Sequence, residues 1–340
     1  MTNKTLIYIL ILITNISCNQ SKEKDFMNTI YTQQDILDLY KTVQHFEEEQ
    51  HYGVRIKSAN CNFEILINDK KVFFVNRNKI GSVINGAYAP INYGLLKSGN
   101  QKITIRILPA VQNRQTEIKY PTLQNAQLDI EIVADDFMDG ESTGEYSIFE
   151  WESPKEIKFI ESEGIEMPYF TQPDLPVFEH RDSFIAEIPF DIDGWNNSVN
   201  LITNDKEELK ELTEEAVTIF KELHKNFQEK NLDKIANLVY QKEKRVAQQL
   251  YFKESDCREN WDYYTEDYKS DNFTMVPLEN FKLVFFGNGK MIGLELNGPK
   301  FQWDSALYSK YIEKGNKGYS KTFYRFLLHR PKPGAPLEVI

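Results

Sequence analysis

The spacing of apolar residues changes at Asn204, and that change divides what the two halves of the chain can become. Before it, apolar residues recur at every second position. Ile103, Ile105 and Ile107 alternate with Thr104 and Arg106, and Leu128, Ile130 and Ile132 alternate with Asp129 and Glu131. A period of two puts one face of a strand in a core and the other in water. After it, Leu209, Leu212, Ala216, Phe220, Leu223 and Phe227 recur at helical spacing, followed by Leu232, Ile235, Val239, Val246 and Leu250. Asn204 or Asp205 can cap the first of these helices, with Glu207 or Glu208 three residues on. Asn231 interrupts the pattern, so the two helices are expected to fold back as an antiparallel hairpin.

Other segments fill in this plan. Asn62–Asn68 and Lys71–Val75 read as a hairpin turning at Asp69-Lys70. Further strands are expected at Tyr146–Trp151, Glu156–Ile160 and Phe184–Phe190, with a proline-rich loop over 161–182 carrying Pro168, Pro173 and Pro176. Ile36, Leu37, Leu39, Tyr40, Val43 and Phe46 predict a leading helix over 33–50, ending in a solvated Glu47-Glu48-Glu49. A third late helix is expected over Arg258–Tyr268. Gly287-Asn288-Gly289 then turns Phe281–Phe286 into Lys290–Leu296, and Phe323–Leu328 reads as a buried strand.

The chain of 340 residues is long enough for two cores. The expected fold is therefore an antiparallel β-sandwich over 33–200, with its leading helix, followed by an α+β domain over 201–340 in which a helical hairpin packs on a curved antiparallel sheet. Leu95-Leu96-Lys97-Ser98-Gly99-Asn100, running into the alternating strand to Ile107, resembles a hairpin of jelly-roll sandwiches such as the galactose-binding-like domains attached to glycosidases. No sugar-binding residue carries over. The order of elements from 204 to 330 looks like the nuclear-transport-factor-like cone, a family that holds both enzymes and binding domains.

The N-terminus concerns destination rather than fold. Leu6–Ile13 is an unbroken apolar run behind Lys4. As a helix it would span only about 12 Å, too short for a bilayer. A positive start, a short apolar core and a small residue before a cut site describe a secretory signal peptide; Ser17 is that residue and Cys18 follows. The arrangement resembles a bacterial lipoprotein signal, with Asn15 standing where the family prefers Leu. The resemblance implies a signal peptide over 1–17, cleavage between Ser17 and Cys18, and acylation of Cys18, the palmitate-bearing membrane anchor. Residues 18–32 would be a polar tether, similar to those of Bacteroidetes-like outer-membrane lipoproteins, on the periplasmic face or the cell surface. An ordinary signal peptide with an incidental Cys18 is the plainer alternative.

Composition narrows the partners. A net charge of −11 argues against nucleic acid, whose recognition needs a basic footprint. Cys61 and Cys257 are expected as buried thiols, with a bridge between them the alternative. The five histidines are scattered and no metal-ligand spacing occurs, so neither metal nor cofactor is expected. Asp191-x-Asp193-Gly194 has the look of a calcium loop, but a tight turn accounts for it equally well. The acidic positions from Asp129 to Glu145, Asp139 among them, read as either a face for a basic partner or a solvated edge.

Trp195 and Trp261 are candidate exposed aromatics for ligand binding. Asp262 and Glu266 lie one turn apart on a helix, a spacing that can serve acid–base chemistry on a sugar if burial separates their pKa values. With no nucleophile motif, the reading is a lipid-anchored envelope binding or interaction protein rather than an enzyme, with an immunity or inhibitor role against a basic exported toxin as one form of it. The other reading is a surface glycan binder or, further off, a glycan hydrolase.

Overall fold

The alternating segments become strands whose inward residues meet across the sheets. The computed structural model describes residues 30–76, 78, 81–111, 122–138, 140–298 and 303–340, with only the backbone for Asp271. The segment expected as a signal peptide, Ser17, Cys18 and most of the expected tether lie outside the described residues, as does Asp139.

Ten strands come first: β1 (Glu48–Ala59), β2 (Cys61–Ile67), β3 (Lys70–Val75), β4 (Val83–Pro90), β5 (Gly99–Pro109), β6 (Gln127–Met138), β7 (Glu141–Glu152), β8 (Lys155–Ile160), β9 (Ile165–Phe170) and β10 (Phe178–Ala186). They form one sheet in the order β4-β1-β6-β7, a second in the order β10-β5-β2-β3, and a β8-β9 ribbon. Every pairing is antiparallel. In the first sheet Val54 faces Ile132 and Ile56 faces Ile130. In the second, Phe63, Ile65 and Ile67 face Ile107, Ile105 and Ile103. All ten side chains enter one core shared by the two sheets.

Four α-helices accompany the sheets: α1 (Gln33–Leu37), α2 (Lys206–Gln228), α3 (Leu232–Gln249) and α4 (Glu254–Thr265). The Asp205 carboxylate accepts from the amides of Glu207 and Glu208, and Asn231 caps α3 through Lys234 N. Seven more strands follow: β11 (Asp271–Met275), β12 (Phe281–Phe286), β13 (Met291–Leu296), β14 (Tyr308–Ile312), β15 (Tyr319–Phe323), β16 (Leu328–His329) and β17 (Glu338–Val339). They pair as β12-β13-β16-β17 and β11-β14-β15, again antiparallel. Phe220 and Phe227 from α2, Ile235 and Val239 from α3, Trp261 and Tyr264 from α4, and Ile292 and Leu294 from β13 make a second core. The molecule is thus built mostly of antiparallel sheets with four helices.

Several local expectations fail, for reasons visible in the contacts. The leading helix stops at Leu37, passes through a 3₁₀ turn at Leu39–Thr42, and gives way to β1. From Glu48 onward the backbone is claimed by β6, so long-range pairing overrides the local helical pattern. Glu49 is buried rather than solvated; its carboxylate takes the Phe46 amide and lies 2.9 Å from His45 Nδ1. α1 belongs with the helices: Tyr31 N donates to Asn237, Gln33 N donates to Asp233, and the Tyr31 ring stacks on Tyr240 at 3.5 Å.

The proline-rich segment is not one loop, because β9 pairs with β8 there and β10 begins at Phe178. Pro168 is tolerated because the ribbon has only two strands, so every backbone position has a free side. Cys61 and Cys257 are buried free thiols in the two different cores.

The β2–β3 turn also differs, by one residue. Asn68 and Asp69 both have positive φ, 52° and 61°. That is the pattern of a type I′ hairpin turn, which Asn and Asp tolerate better than most residues. Lys70 is therefore not a turn residue but the first residue of β3.

Candidate functional site

β3 is the edge strand of its sheet, and from it Lys71 and Asn76 reach Glu295 and Asp304 of the C-terminal region. The two regions are tied at their hairpin tips. Asp69 O accepts from Gly287 N at 3.0 Å, and Asp69 Oδ2 accepts from Asn288 N at 2.8 Å. Below this tie lies a cavity of about 520 Å³ lined by β3, α3, Asn260 of α4, β13, Trp303 and the stretch from Arg325 to Leu327. This volume falls within the usual range of about 300–1,000 Å³ for small-molecule sites.

Lys70 enters the cavity wall because the turn ends one residue early. Its Nζ donates to Tyr93 O at 2.7 Å and sits 5.0 Å from the ring centroids of both Tyr93 and Trp195. The residue is 9% exposed. Burial holds its ammonium well below the ordinary lysine value, and the charges of Arg245 and Lys242 push it the same way. Arg245, one turn along α3, is also buried, and its Nε finds no hydrogen-bond partner. Burial lowers that guanidinium to about 10, against a single opposing influence from Glu243.

Glu243 makes no direct ion pair with either of them, although its charge favours the charged form of both, because its oxygens are engaged elsewhere. Lys242 Nζ lies 2.6 Å from one of its oxygens, which also takes a short hydrogen bond from the Tyr264 hydroxyl; Asn260 Nδ2 donates to the other at 2.7 Å. Burial alone would raise this carboxyl. The charge of Lys242 and the three donated hydrogen bonds outweigh it and hold the group below its ordinary value. The other side of the cavity is charge-balanced. Lys71 reaches Glu295 at 2.7 Å and Glu64 at 3.5 Å, and Arg325 lies over the Phe74 ring, 4.0 Å from Asp304.

The residues singled out from sequence are not gathered here. Trp195 and Trp261 are 3% and 2% exposed, which corrects the expectation of exposed aromatics. Trp195 packs in a small cluster with Leu96, Phe286, Met291 and Ile340, so it backs the cavity through Lys70. Trp261 lies in the helical core, and its Nε1 has no partner. Asp262 and Glu266 are exposed, away from both tryptophans' surroundings. Asp193 sits in a turn, its carboxylate accepting from Asn197 Nδ2 at 2.7 Å. Among the described residues no cluster of three His, Cys, Asp or Glu is placed to hold a metal. Of the acidic run, Glu131 and Glu145 pair with Arg55, and Asp135 and Asp136 accept from Ser142 and Tyr146.

Sequence reading also missed a hydroxyl–imidazole–carboxylate chain. Ser198 Oγ lies 2.6 Å from His329 Nδ1, and His329 Nε2 lies 3.0 Å from Glu338 Oε1. No spacing could have shown it, because the three residues meet only when β16 pairs with β17 beside the 195–198 turn. The serine and the histidine are buried, and neither lines the cavity. The chain braces the 195–198 turn against the sheet.

A wider groove of about 690 Å³ runs along the outer face of α2, but its lysines and Glu214 are solvated and converge on nothing. No family model matches this chain, and no curated protein or solved structure is similar enough to it to carry an argument.

Proposed function

We propose that the chain is a lipid-anchored binding protein of the bacterial envelope, and that the cavity below the Asp69 tie is where it binds. In this reading residues 1–17 are a signal peptide, Cys18 carries the acyl chains, and a tether to residue 32 leads to a jelly-roll-like sandwich and a cone-like α+β part. The observation that carries the binding reading is the cavity itself. It is lined largely by aromatic and aliphatic side chains, with lysines and an arginine placed around it. Apolar walls with a few placed polar groups are what small-molecule sites look like.

The charge of −11 suits a basic protein partner as well, because opposite charge speeds encounter. An immunity or inhibitor role is the form of interaction protein that this favours. The glycan reading has lost its two aromatic platforms to burial, and no observation now favours it.

The test of the pocket uses N-phenyl-1-naphthylamine, a neutral apolar dye. Saturable binding that is lost in Val246→Trp, with the circular dichroism unchanged, supports the reading; a wild type that binds neither this dye nor its sulfonated analogue sinks it. The anchor is tested separately: palmitate labelling is expected to vanish in Cys18→Ala, and labelling that persists refutes acylation there.

A further inference from the structure

The charges around the cavity do not balance, and they fail to balance on one side only. Around Lys71 and Arg325, two cations meet the carboxylates of Glu295 and Asp304. Around Lys70, three cations (Lys70, Lys242 and Arg245) share one carboxylate, Glu243, and it is already committed to Lys242, Tyr264 and Asn260. Of the three, Lys70 and Lys242 line the cavity; Lys242 is paired with Glu243, whereas Lys70 makes its one hydrogen bond among the described residues to a backbone carbonyl. A buried cation without a counter-ion is among the costliest arrangements a fold can hold. This one is held in place by two aromatic faces and the Tyr93 carbonyl, so it is positioned rather than merely trapped.

We infer, building on the reading of the cavity as a binding site, that it takes a small organic monoanion with an apolar body. The anionic head sits against Lys70 beside Lys242, and the body packs on Phe286, Trp303 and Leu327. One negative charge is the right complement, because only one of the two unpaired cations borders the cavity; Arg245 lies behind it. The apolar body follows from the larger part of the wall, where Val246, Leu294 and Ile340 offer no hydrogen bonds from their side chains, while Lys71, Glu295 and Arg325 are engaged with one another or with Asp304. The depressed ammonium of Lys70 agrees with this assignment, since an arriving anion would restore the charge that burial opposes.

Two dyes with the same apolar body separate charge from shape. 1-Anilinonaphthalene-8-sulfonate carries one negative charge, and N-phenyl-1-naphthylamine carries none. Binding to the full chain is read by energy transfer from tryptophan, which reports dye on the protein rather than dye in micelles or on lipid. The expected result is at least 10-fold tighter binding of the sulfonate, about 1.4 kcal/mol. In Lys70→Met the ratio is expected to fall to near one, with the circular dichroism unchanged. Equal affinity of the two dyes for the wild type overturns the inference, as does a preference that survives Lys70→Met. Should that variant fail to fold, the wild-type ratio still decides. If neither dye binds, the cavity is not a ligand site at all, and the proposed function fails with it.

Discussion

The core between the first two sheets and the seam beside β3 both bury side chains, yet they are built from opposite materials. The sheet core is made by Val54, Ile56, Phe63, Ile65, Ile105 and Ile130 and their neighbours, apolar throughout. The seam holds Lys70, Lys71, Glu243, Arg245 and Glu295, all buried or nearly so. A fold needs the first arrangement and gains little from the second, because well-packed apolar residues are generally as stabilising as buried ion pairs, or more so. The contrast teaches where to look for selection other than for stability. Buried charge in the sheet core would be a defect; in the seam it lines a cavity.

The comparison can be broken by substitution. Phe63→Ala in the sheet core should cost about 3–5 kcal/mol by removing a fully buried ring and leaving a hole, read from the shift in denaturant midpoint. Glu243→Gln should cost about 3 kcal/mol, because it removes the charged, fully buried end of the pair with the partly exposed Lys242. A loss under 1 kcal/mol there would mean that the seam tolerates unpaired charge freely. Lys70→Met should act the other way and raise stability by about 1–2 kcal/mol, since it removes a buried cation that has no counter-ion. A marked loss on Lys70→Met would show that the lysine supports the fold, and the contrast between the regions would then disappear.

pH sharpens the same point. Glu243 titrates below its ordinary value in the folded state, so its contribution is complete above the unfolded value near 4.5 and is lost as the pH falls through the lower folded value. Lys70 is also depressed, so the unfolded chain binds its proton more tightly over the interval below 10.5. Stability should therefore rise with pH across that interval, and Lys70→Met should flatten the rise. The smallest effect is expected at the brace. Ser198→Ala should cost about 1 kcal/mol, by removing the hydroxyl that meets His329 Nδ1.

What sequence revealed, and what it did not, follows the range of the forces involved. The strand at Ile103–Ile107 and the stripes of α2 and α3 were readable because periodicity records burial directly. The Asp205 cap was readable because its partners lie two and three residues away. The leading helix was misread because β6, more than seventy residues on, decides the backbone after Glu48. The candidate site was hidden by a single step: with the turn at Asn68-Asp69 instead of Asp69-Lys70, an apparent surface lysine becomes a buried one. The tryptophans were chosen for their chemistry, and exposure is a property of packing that their neighbours in sequence do not record.

The tie at Asp69 has a kinetic consequence. It pins the tips of two hairpins together at one end of the seam, with two hydrogen bonds on a single residue. A breathing motion that keeps this end and parts the Lys71–Glu295 and Asn76–Asp304 contacts along β3 would swing about it, as the covers of a book swing about its spine. Entry and escape would then depend on how readily those contacts part while the pivot holds. Asp69→Ala leaves one of the two bonds in place, so it would change residence time more than affinity.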